Sequence, residues 1–326
     1  MPTPRRIRRP AGRALRDTGE FALLARLLPS LPRGGRDVRL GPGDDCAVVL
    51  PGTRPLLLTV DALVESVHFR RAWLTPAQLG RRAFAVNASD IAAMGGVPRW
   101  CVVHIGAPPR VPAADVAAIS RGLAAAARQA GATLVGGNLS RAGELSVTVA
   151  LIGAAPARPL TRAGARPGHA LYVTGTLGLA ALGVRRLRRD PRAADAAARR
   201  WRQPIARLDA GAALARRHLA SAMIDVSDGL LQDLGHLCRA SGVGARIAID
   251  RLPAGGDREL ALRGGEDYEL LFAVPPRREA ALARARRLLG CPITRIGECT
   301  RGRAITVLDA AGRAMPAAGG GFDHFA

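Results

Sequence analysis

The chain has 326 residues, 48% of them hydrophobic, and carries a formal net charge of +22. This length predicts two domains with apolar cores, and no uninterrupted apolar stretch reaches the roughly 18 residues that a membrane span needs. The arginines near the N-terminus are not followed by an apolar run with a cleavage site, which argues against a secretory signal.

The first half of the sequence predicts a disordered basic tail at 1–17, followed by helices and strands. The predicted elements are a short helix at 20–28, strands at 46–50 and 56–60, a helix at 76–94, a strand at 100–105, a helix at 112–130 and strands at 133–135 and 145–152. The long helix at 76–94 is the best bounded, because Thr75 and Pro76 are typical of a helix start and two glycines follow its end.

Residues 156–168 are rich in Pro, Gly and Arg and predict a boundary between domains at 18–155 and 156–326. The second domain alternates again, with a strand at 170–174, helices at 179–189 and 205–219, a strand at 223–226, a helix at 230–240, strands at 245–249 and 268–274, a helix at 277–289 and a closing pair of short strands. Strands and helices mixed in both halves predict a mixed α+β fold.

Several carboxylates lie in turns or at predicted strand ends rather than on solvated helix faces. Asp44 and Asp45 stand in a turn rich in Gly and Pro, where a solvated turn and a divalent-cation site explain them equally well. Asp61 follows the apolar run at 56–60. We interpret it as a functional carboxylate at the tip of a buried strand, with a helix cap or a turn cap as the alternative.

Asp90 lies on or beside the apolar stripe of the helix at 76–94. A buried carboxylate without a partner is costly, so it should be paired or bound to a metal. The chain has no Lys to pair it, and Arg82 is the nearest cation, at the edge of the stripe. We therefore favour metal binding by Asp90 over an ion pair.

The segment 224–229 repeats this pattern in the second domain. Asp225 interrupts an apolar strand and has no evident structural role, whereas Ser227 or Asp228 can cap the helix that follows. The N-terminus of that helix would also favour an anion.

Two glycine-rich turns follow predicted strands, at 135–138 and 175–178. Each would let a phosphate approach the backbone, although a tight turn explains either one as simply. The segment 264–269 places three acids around a strand start, which is harder to explain by structure alone.

Eight strings carry a family resemblance, and they are, in chain order, GPGDDCAVV, LVESVHF, AVNASDIAAMGG, LTRAGARPG, YVTGTLG, AMIDVSDGLLQDLGHLCRASG, GGEDYELLF and FDHF. With them the chain resembles the thiamine-monophosphate kinase family, in the aminoimidazole ribonucleotide synthetase-like superfamily. The resemblance extends over nearly the whole chain.

The resemblance implies an ATP-dependent kinase that converts thiamine monophosphate to thiamine diphosphate with several Mg²⁺ ions. It implies a homodimer built through an N-terminal ATP- and metal-binding domain, with a C-terminal domain completing the substrate site. The implied metal-binding residues are Asp45, Thr59, Val60, Asp61, Asp90, Asn138, Asp225 and Asp228. The implied contacts to ATP are Gly137, Asn138, Arg162 and Ser227, and those to thiamine monophosphate are His68, Glu266 and Phe322.

Two of these positions depart from the family pattern, which usually has Asp in place of Asn138 and Thr in place of Val60. An amide oxygen can still coordinate Mg²⁺, but it lacks the charge of a carboxylate. The change at Val60 removes a ligand only if the family uses the hydroxyl rather than the backbone carbonyl. We expect weaker occupancy of one Mg²⁺ site, with the activity kept.

Because the chain has no Lys, it lacks both a Walker A loop and the strand Lys of protein kinases. Two phosphates about 4 Å apart repel by roughly 4 kcal/mol per pair of unit charges at an effective dielectric constant near 20. Carboxylate-bound Mg²⁺ would offset that repulsion. Since the second pKa of a phosphate is about 6, the acceptor needs no general base, and we expect direct in-line transfer without a phospho-enzyme.

Two alternatives remain open. One is another ATP-dependent synthetase or kinase of the same superfamily, although hydrogenase maturation would require a C-terminal Cys and selenophosphate synthesis a reactive Cys upstream of Cys46. The other is a basic nucleic-acid-binding protein. The aromatic content of 3% and the spread of the arginines along helices argue against it.

The five cysteines are never spaced as C-x-x-C, which argues against disulfides or zinc and indicates a reducing cytoplasm.

Overall fold

Two large β-sheets organise the protein in a computed structural model that describes residues 26–30, 37–40, 48–49 and 51–315. A four-stranded sheet lies within residues 56–154 and a seven-stranded sheet within residues 170–315. Ahead of them, β1 (Val38–Leu40) pairs with β2 (Val48–Val49). The mixed α+β class predicted from sequence is confirmed. The tail predicted at 1–17 lies outside the described residues.

The first sheet consists of β3 (Leu56–Val64), β4 (Val97–Ala107), β5 (Thr133–Arg141) and β6 (Ser146–Ala154), in the spatial order β3-β6-β4-β5. One face is covered by α1 (Pro76–Ala93) and α2 (Ala113–Gln129). Helix α1 begins as predicted, because the Gln78 N–H donates to the Thr75 hydroxyl and the Thr75 N–H donates to the Gln78 side chain.

Strand β3 differs from its prediction in length and in burial. It continues to Val64, so Asp61 lies within the strand and not at its tip. It is also not a buried strand, since Leu58 and Val60 are 74% and 62% exposed. Only alternate residues of β3 face α1, because successive side chains of a strand point to opposite faces. The prediction of a buried strand was therefore wrong.

Strand β5 also extends beyond its prediction, so the glycines at 136 and 137 lie in a strand and not in a turn. Gly137 pairs with Val103 on β4. A Cβ at Gly137 would lie 2.3 Å from the Val103 carbonyl oxygen, closer than any real contact. The glycine is thus explained by the close approach of β4.

The second sheet has the spatial order β13-β12-β9-β11-β7-β10-β8. Its strands are β7 (Ala170–Thr174), β8 (Ala222–Val226), β9 (Gly244–Ala248), β10 (Glu269–Val274), β11 (Ile293–Thr300), β12 (Ile305–Leu308) and β13 (Ala314–Met315). The accompanying helices are α3 (Leu179–Arg189), α4 (Ala196–Arg202), α5 (Leu208–Arg216), α6 (Leu230–Ser241), α7 (Arg258–Arg263) and α8 (Pro276–Ala285).

Helices cover both faces of β7, β10 and the edge strand β8, and every residue of these three strands is buried. Helix α6 packs on one face, whereas α5 and α8 pack on the other. Burial on both faces explains why these strands are apolar throughout. None of the helices in the described part of the chain is both long and apolar enough to cross a bilayer.

Sequence reasoning missed α4 and placed α5 too broadly, at 205–219. Helix α4 has only seven residues, three of them Arg, and therefore shows little apolar periodicity. Its packing depends on Ala197, Ala198 and Trp201, which are buried against the rest of the fold. The helix predicted at 277–289 ends earlier, at Ala285, and continues as a 3₁₀ turn.

An ion cluster around Glu269 joins β10 to the helices of the second domain. The Glu269 carboxylate accepts hydrogen bonds from Arg207 at 2.6 and 2.7 Å, from the Thr174 hydroxyl at 2.6 Å and from Arg200. Its side chain is 1% exposed. Removing the carboxylate would leave two largely buried guanidinium groups without their counter-ion.

We expect Glu269→Ala to lower the free energy of unfolding by about 3–5 kcal/mol, because the change leaves buried charge uncompensated. The matched control is Glu298→Ala, since Glu298 pairs with Arg246 at 3.7 Å on the surface. That variant should lose less than about 1 kcal/mol. Urea denaturation of both variants measures the difference, and equal losses would contradict a structural role for the cluster.

Candidate active site

A cavity of about 670 Å³ lies between the two domains. It brings together site residues that the sequence holds far apart, and its lining includes Asp61, His68, Asp90, Asp225, Ser227, Asp228 and Glu266. The contributing elements are β3 and α1 from the first domain, and β8, α3 and α7 with the loops near them from the second. Folding therefore assembles one acidic cavity from both domains.

Helix α1 positions the acidic end of the cavity through hydrogen bonds to both domains. The Thr59 hydroxyl on β3 donates to the Asp90 carboxylate at 2.5 Å. The neighbouring Ser89 hydroxyl donates to the Asp225 carboxylate on β8 at 2.6 Å. These two bonds orient Asp90 and Asp225 at the contact between the domains.

Burial makes both carboxylates difficult to ionise, and repulsion by Asp90 adds to this effect at Asp225. Burial, and next to it the charge of Asp90, raises the pKa of Asp225 to about 7. Burial also raises the pKa of Asp90, against the opposing effects of the Thr59 hydrogen bond and the charge of Arg162. Neither carboxylate forms a salt bridge within the described residues. Clustered carboxylate and hydroxyl oxygens without a paired cation fit a hard divalent ion such as Mg²⁺.

Arg162 lies in the segment between the domains, close to these carboxylates. Its positive charge lowers the pKa of Asp90, Asp225 and His236, although it is not the largest influence on any of them. Its backbone carbonyl accepts a hydrogen bond from the Ser241 hydroxyl at 2.9 Å. The linker is thus attached to the end of α6, and its guanidinium group is near enough to influence the acidic cluster.

The loop between β8 and α6 is held by a residue that sequence reasoning missed. The Asp233 carboxylate accepts hydrogen bonds from the backbone N–H groups of Ser227, Asp228 and Gly229, each at 3.1 Å. The predicted capping of α6 by Ser227 or Asp228 is wrong, because the N-cap is Gly229 and no side chain caps it. The signal for Asp233 was an acid in the first turn of a helix.

Two alternatives that the sequence left open are decided by the structure. Arg82 does not face Asp90 but forms a salt bridge with Glu266. At the turn 175–178, the N–H groups of Gly178 and Ala180 donate to the Asp267 carboxylate at 2.5 and 3.0 Å. The N-terminus of α3 is therefore occupied by a side chain of the protein, and the turn is structural.

His68 and Glu266 line the same cavity as the aspartates. The Nδ1 atom of His68 accepts a hydrogen bond from the Val64 N–H at 3.1 Å, which sets the orientation of the ring. The backbone N–H of Glu266 donates to the Ser227 carbonyl at 2.7 Å. This bond connects the Glu266 loop directly to the loop that presents Ser227 and Asp228.

The structure does not bring Val60, Gly137 and Asn138 into this cavity. Asn138 on β5 pairs with His104 on β4, which pairs with Thr148 on β6. Asn138 is therefore three strands away from β3 in the sheet. By the alternation of side chains along a strand, Val60 and Asn138 lie on the face of the sheet opposite α1. Asp45 and Phe322 lie outside the described residues.

We expect millimolar Mg²⁺ to raise the melting temperature of the protein, because a bound cation relieves the repulsion between Asp90 and Asp225. Asp225→Asn should lose most of this increase, measured by differential scanning fluorimetry with and without EDTA. The control is Asp115→Asn, in the first turn of α2, which should keep it. An equal response in all three proteins would mean that the cation binds elsewhere.

Comparisons with known proteins give the family of the chain. Residues 43–155 match the family model described as AIR synthase related protein, N-terminal domain, and residues 166–309 match AIR synthase related protein, C-terminal domain. The chain is 40% identical to the thiamine-monophosphate kinase of Escherichia coli (strain K12) over 325 residues, which cover 94% of this chain and 98% of the relative.

Two solved structures resemble this one over nearly their whole length. The thiamine-monophosphate kinase from Stenotrophomonas maltophilia K279a superimposes with a TM-score of 0.78 and 35% identity, covering 90% of this chain and 95% of that one. AaThiL complexed with AMPPCP and TMP superimposes with a TM-score of 0.74 and 31% identity, covering 95% and 98%. The chain therefore belongs to the thiamine-monophosphate kinase family of AIR synthase related proteins.

Proposed function

We propose that this kinase transfers the γ-phosphoryl group of ATP directly to thiamine monophosphate, in the cavity between its two domains. The observation that carries the proposal is the assembly of Asp61, Asp90, Asp225 and Asp228 around one cavity that His68 and Glu266 also line. The related AaThiL structure contains AMPPCP, which is an analogue of ATP, and TMP.

The acidic end of the cavity is the proposed site for Mg²⁺. Asp61, Asp90, Asp225 and Asp228 would hold the ions, with Thr59 and Ser89 orienting two of these carboxylates through hydrogen bonds. Bound Mg²⁺ supplies positive charge that offsets the repulsion between donor and acceptor phosphates and the charge that develops on the transferred group. This fits the oxygen-only donor set.

Arg162 and Ser227 are the proposed contacts of the chain with ATP. The Arg162 guanidinium is near enough to lower the pKa of Asp90 and of Asp225, and there it would bind phosphate oxygens that the carboxylates alone would repel. The Ser227 side chain lines the cavity because Asp233 holds the backbone of its loop. The remaining candidates, Asp45, Val60, Gly137, Asn138 and Phe322, stay proposals from the family resemblance.

The acceptor phosphate acts as its own nucleophile in this proposal. Its second pKa is about 6, so it is largely ionised at neutral pH and no side chain has to remove a proton. His68 would bind the acceptor. The hydrogen bond from the Val64 N–H to its Nδ1 sets the orientation of the ring. The transfer is then in line and passes through no phospho-enzyme.

The free thiols of Cys101, Cys238 and Cys299 suit the reducing cytoplasm that we propose as the location of the protein.

We also propose that the protein is a homodimer, with the open face of the first sheet as its interface. This face carries Leu56, Leu58, Val60 and Val102, which are 40%, 74%, 62% and 42% exposed. A row of exposed apolar side chains on neighbouring strands is typical of a surface that another chain covers. Such an interface would give Val60 and Asn138 a partner-facing position.

The transfer reaction is tested by a coupled ADP-release assay with thiamine monophosphate, free thiamine or no acceptor. We expect ADP release only with the monophosphate, and a kcat lowered about 100-fold or more in Asp225→Asn, because charge compensation at the transferred group is lost. Release with free thiamine, or with no acceptor, would overturn the proposal.

Binding of RNA with a steep salt dependence and no ATP turnover would support the nucleic-acid alternative.

We expect Leu58→Glu to convert the dimer into a monomer, because the change places a charge in the centre of the apolar face. Sedimentation velocity measures the mass in solution. The control is Leu288→Glu, since Leu288 is 52% exposed in the second domain, away from this face. A monomeric wild-type protein, or a dimeric Leu58→Glu variant, would contradict the proposed interface.

A further inference from the structure

A buried arginine from the first domain reaches Glu266 in the second. Arg82 on α1 is 0% exposed, and its guanidinium donates hydrogen bonds to the Glu266 carboxylate and to the Trp201 backbone carbonyl. The central guanidinium carbon lies 4.4 Å from the centre of the Trp201 ring. Among the described residues, Glu266 is the carboxylate that neutralises this buried cation.

Trp201 on α4 binds the other oxygen of the same carboxylate. Its indole N–H donates to Oε2 of Glu266 at 2.7 Å, while Arg82 donates to Oε1. The Trp201 ring is fully buried and meets Trp73 edge to face, with 5.4 Å between ring centroids. Trp73 in turn lines the cavity. The Glu266 carboxylate is therefore held from two sides by groups that cannot easily move.

The backbone of Glu266 supports the same conclusion. Its φ angle is +68°, in the left-handed region that residues with a Cβ rarely adopt. Backbone strain of this kind persists where surrounding contacts hold it, and it is often found at functional sites. Here the Arg82 and Trp201 contacts, with the N–H bond to Ser227, supply that support.

We propose that Arg82 and Trp201 are positioning residues that fix the Glu266 carboxylate in the cavity, where it accepts a hydrogen bond from an amino group of the acceptor. The inference rests on the proposed function, in which the acceptor carries an aminopyrimidine ring. The Glu266 side chain remains 29% exposed, and each carboxylate oxygen has a second lone pair available to a ligand. Trp73, Val86 and Tyr268 provide the apolar wall for a flat ring.

The direct test is Trp201→Phe, which keeps an aromatic ring beside Arg82 and Trp73 but removes the N–H donor to Glu266. We expect the KM for thiamine monophosphate to rise about tenfold, because a carboxylate that loses a buried hydrogen bond no longer holds one orientation. The kcat and the KM for ATP should change less than about twofold. Arg82→Lys keeps the positive charge but loses the planar guanidinium group, and it should also raise the KM for thiamine monophosphate.

The matched control is Trp100→Phe. Trp100 is 2% exposed on β4, so the substitution makes the same chemical change in a buried ring away from the cavity. Its kinetic constants should stay at wild-type values. A rise in both KM values together with a fall in melting temperature for Trp201→Phe would indicate general loosening of the fold and overturn the proposal.

A double-mutant cycle separates positioning from direct contact. If Trp201 acts through Glu266, Trp201→Phe should change the KM by less than about twofold in a Glu266→Gln background. A further tenfold rise in that background would mean that Trp201 contacts the acceptor itself, and the proposal would be wrong. Calorimetric titration of thiamine monophosphate without ATP gives the same comparison as a Kd. Absence of binding and turnover in the wild-type protein would refute the proposed function, whereas an unaffected Trp201→Phe refutes only this inference.

Discussion

Electrostatic repulsion between carboxylates on two domains is the constraint on which the site depends. Asp90 and Asp225 lie on elements that pack against each other. Burial raises the pKa of both carboxyl groups, and the charge of Asp90 raises that of Asp225 further. Packing without a cation is unfavourable for such a pair, because buried charge needs a partner. A divalent cation would offset this repulsion, which supports the proposed Mg²⁺ site between the two anionic substrates.

Helix α1 connects this constraint to the rest of the molecule. Arg82, Val86, Ser89 and Asp90 lie on one side of the helix at spacings of three to four residues, and that side faces the second domain. Arg82 reaches the end of the cavity proposed for the acceptor, while Ser89 and Asp90 reach the end proposed for Mg²⁺. One rigid element therefore sets the distance between the two ends, which direct transfer requires to be short.

Much of this fold and part of the site could be predicted because the responsible signals are local. The cap of α1, the strand at 170–174 and the helix at 179–189 follow from neighbouring residues and agree with the structure. The short, Arg-rich helix α4 could not be predicted, and neither could the full lengths of β3 and β5. The stability of these segments comes from packing partners that are distant in the sequence. The role of Asp233 was missed for a related reason, since an acid in the first turn of a helix is common on exposed surfaces.

The sequence by itself determined that the chain is a kinase of a known family, because its motifs are long and specific, and that the chemistry cannot use Lys. Only the tertiary structure decided which acids meet in one cavity and which partners they have. It separated Val60 and Asn138 from the other candidates and paired Arg82 with Glu266 instead of Asp90. The physical reason is that a side chain's partner depends on distances between elements, and spacing along the chain does not specify those distances.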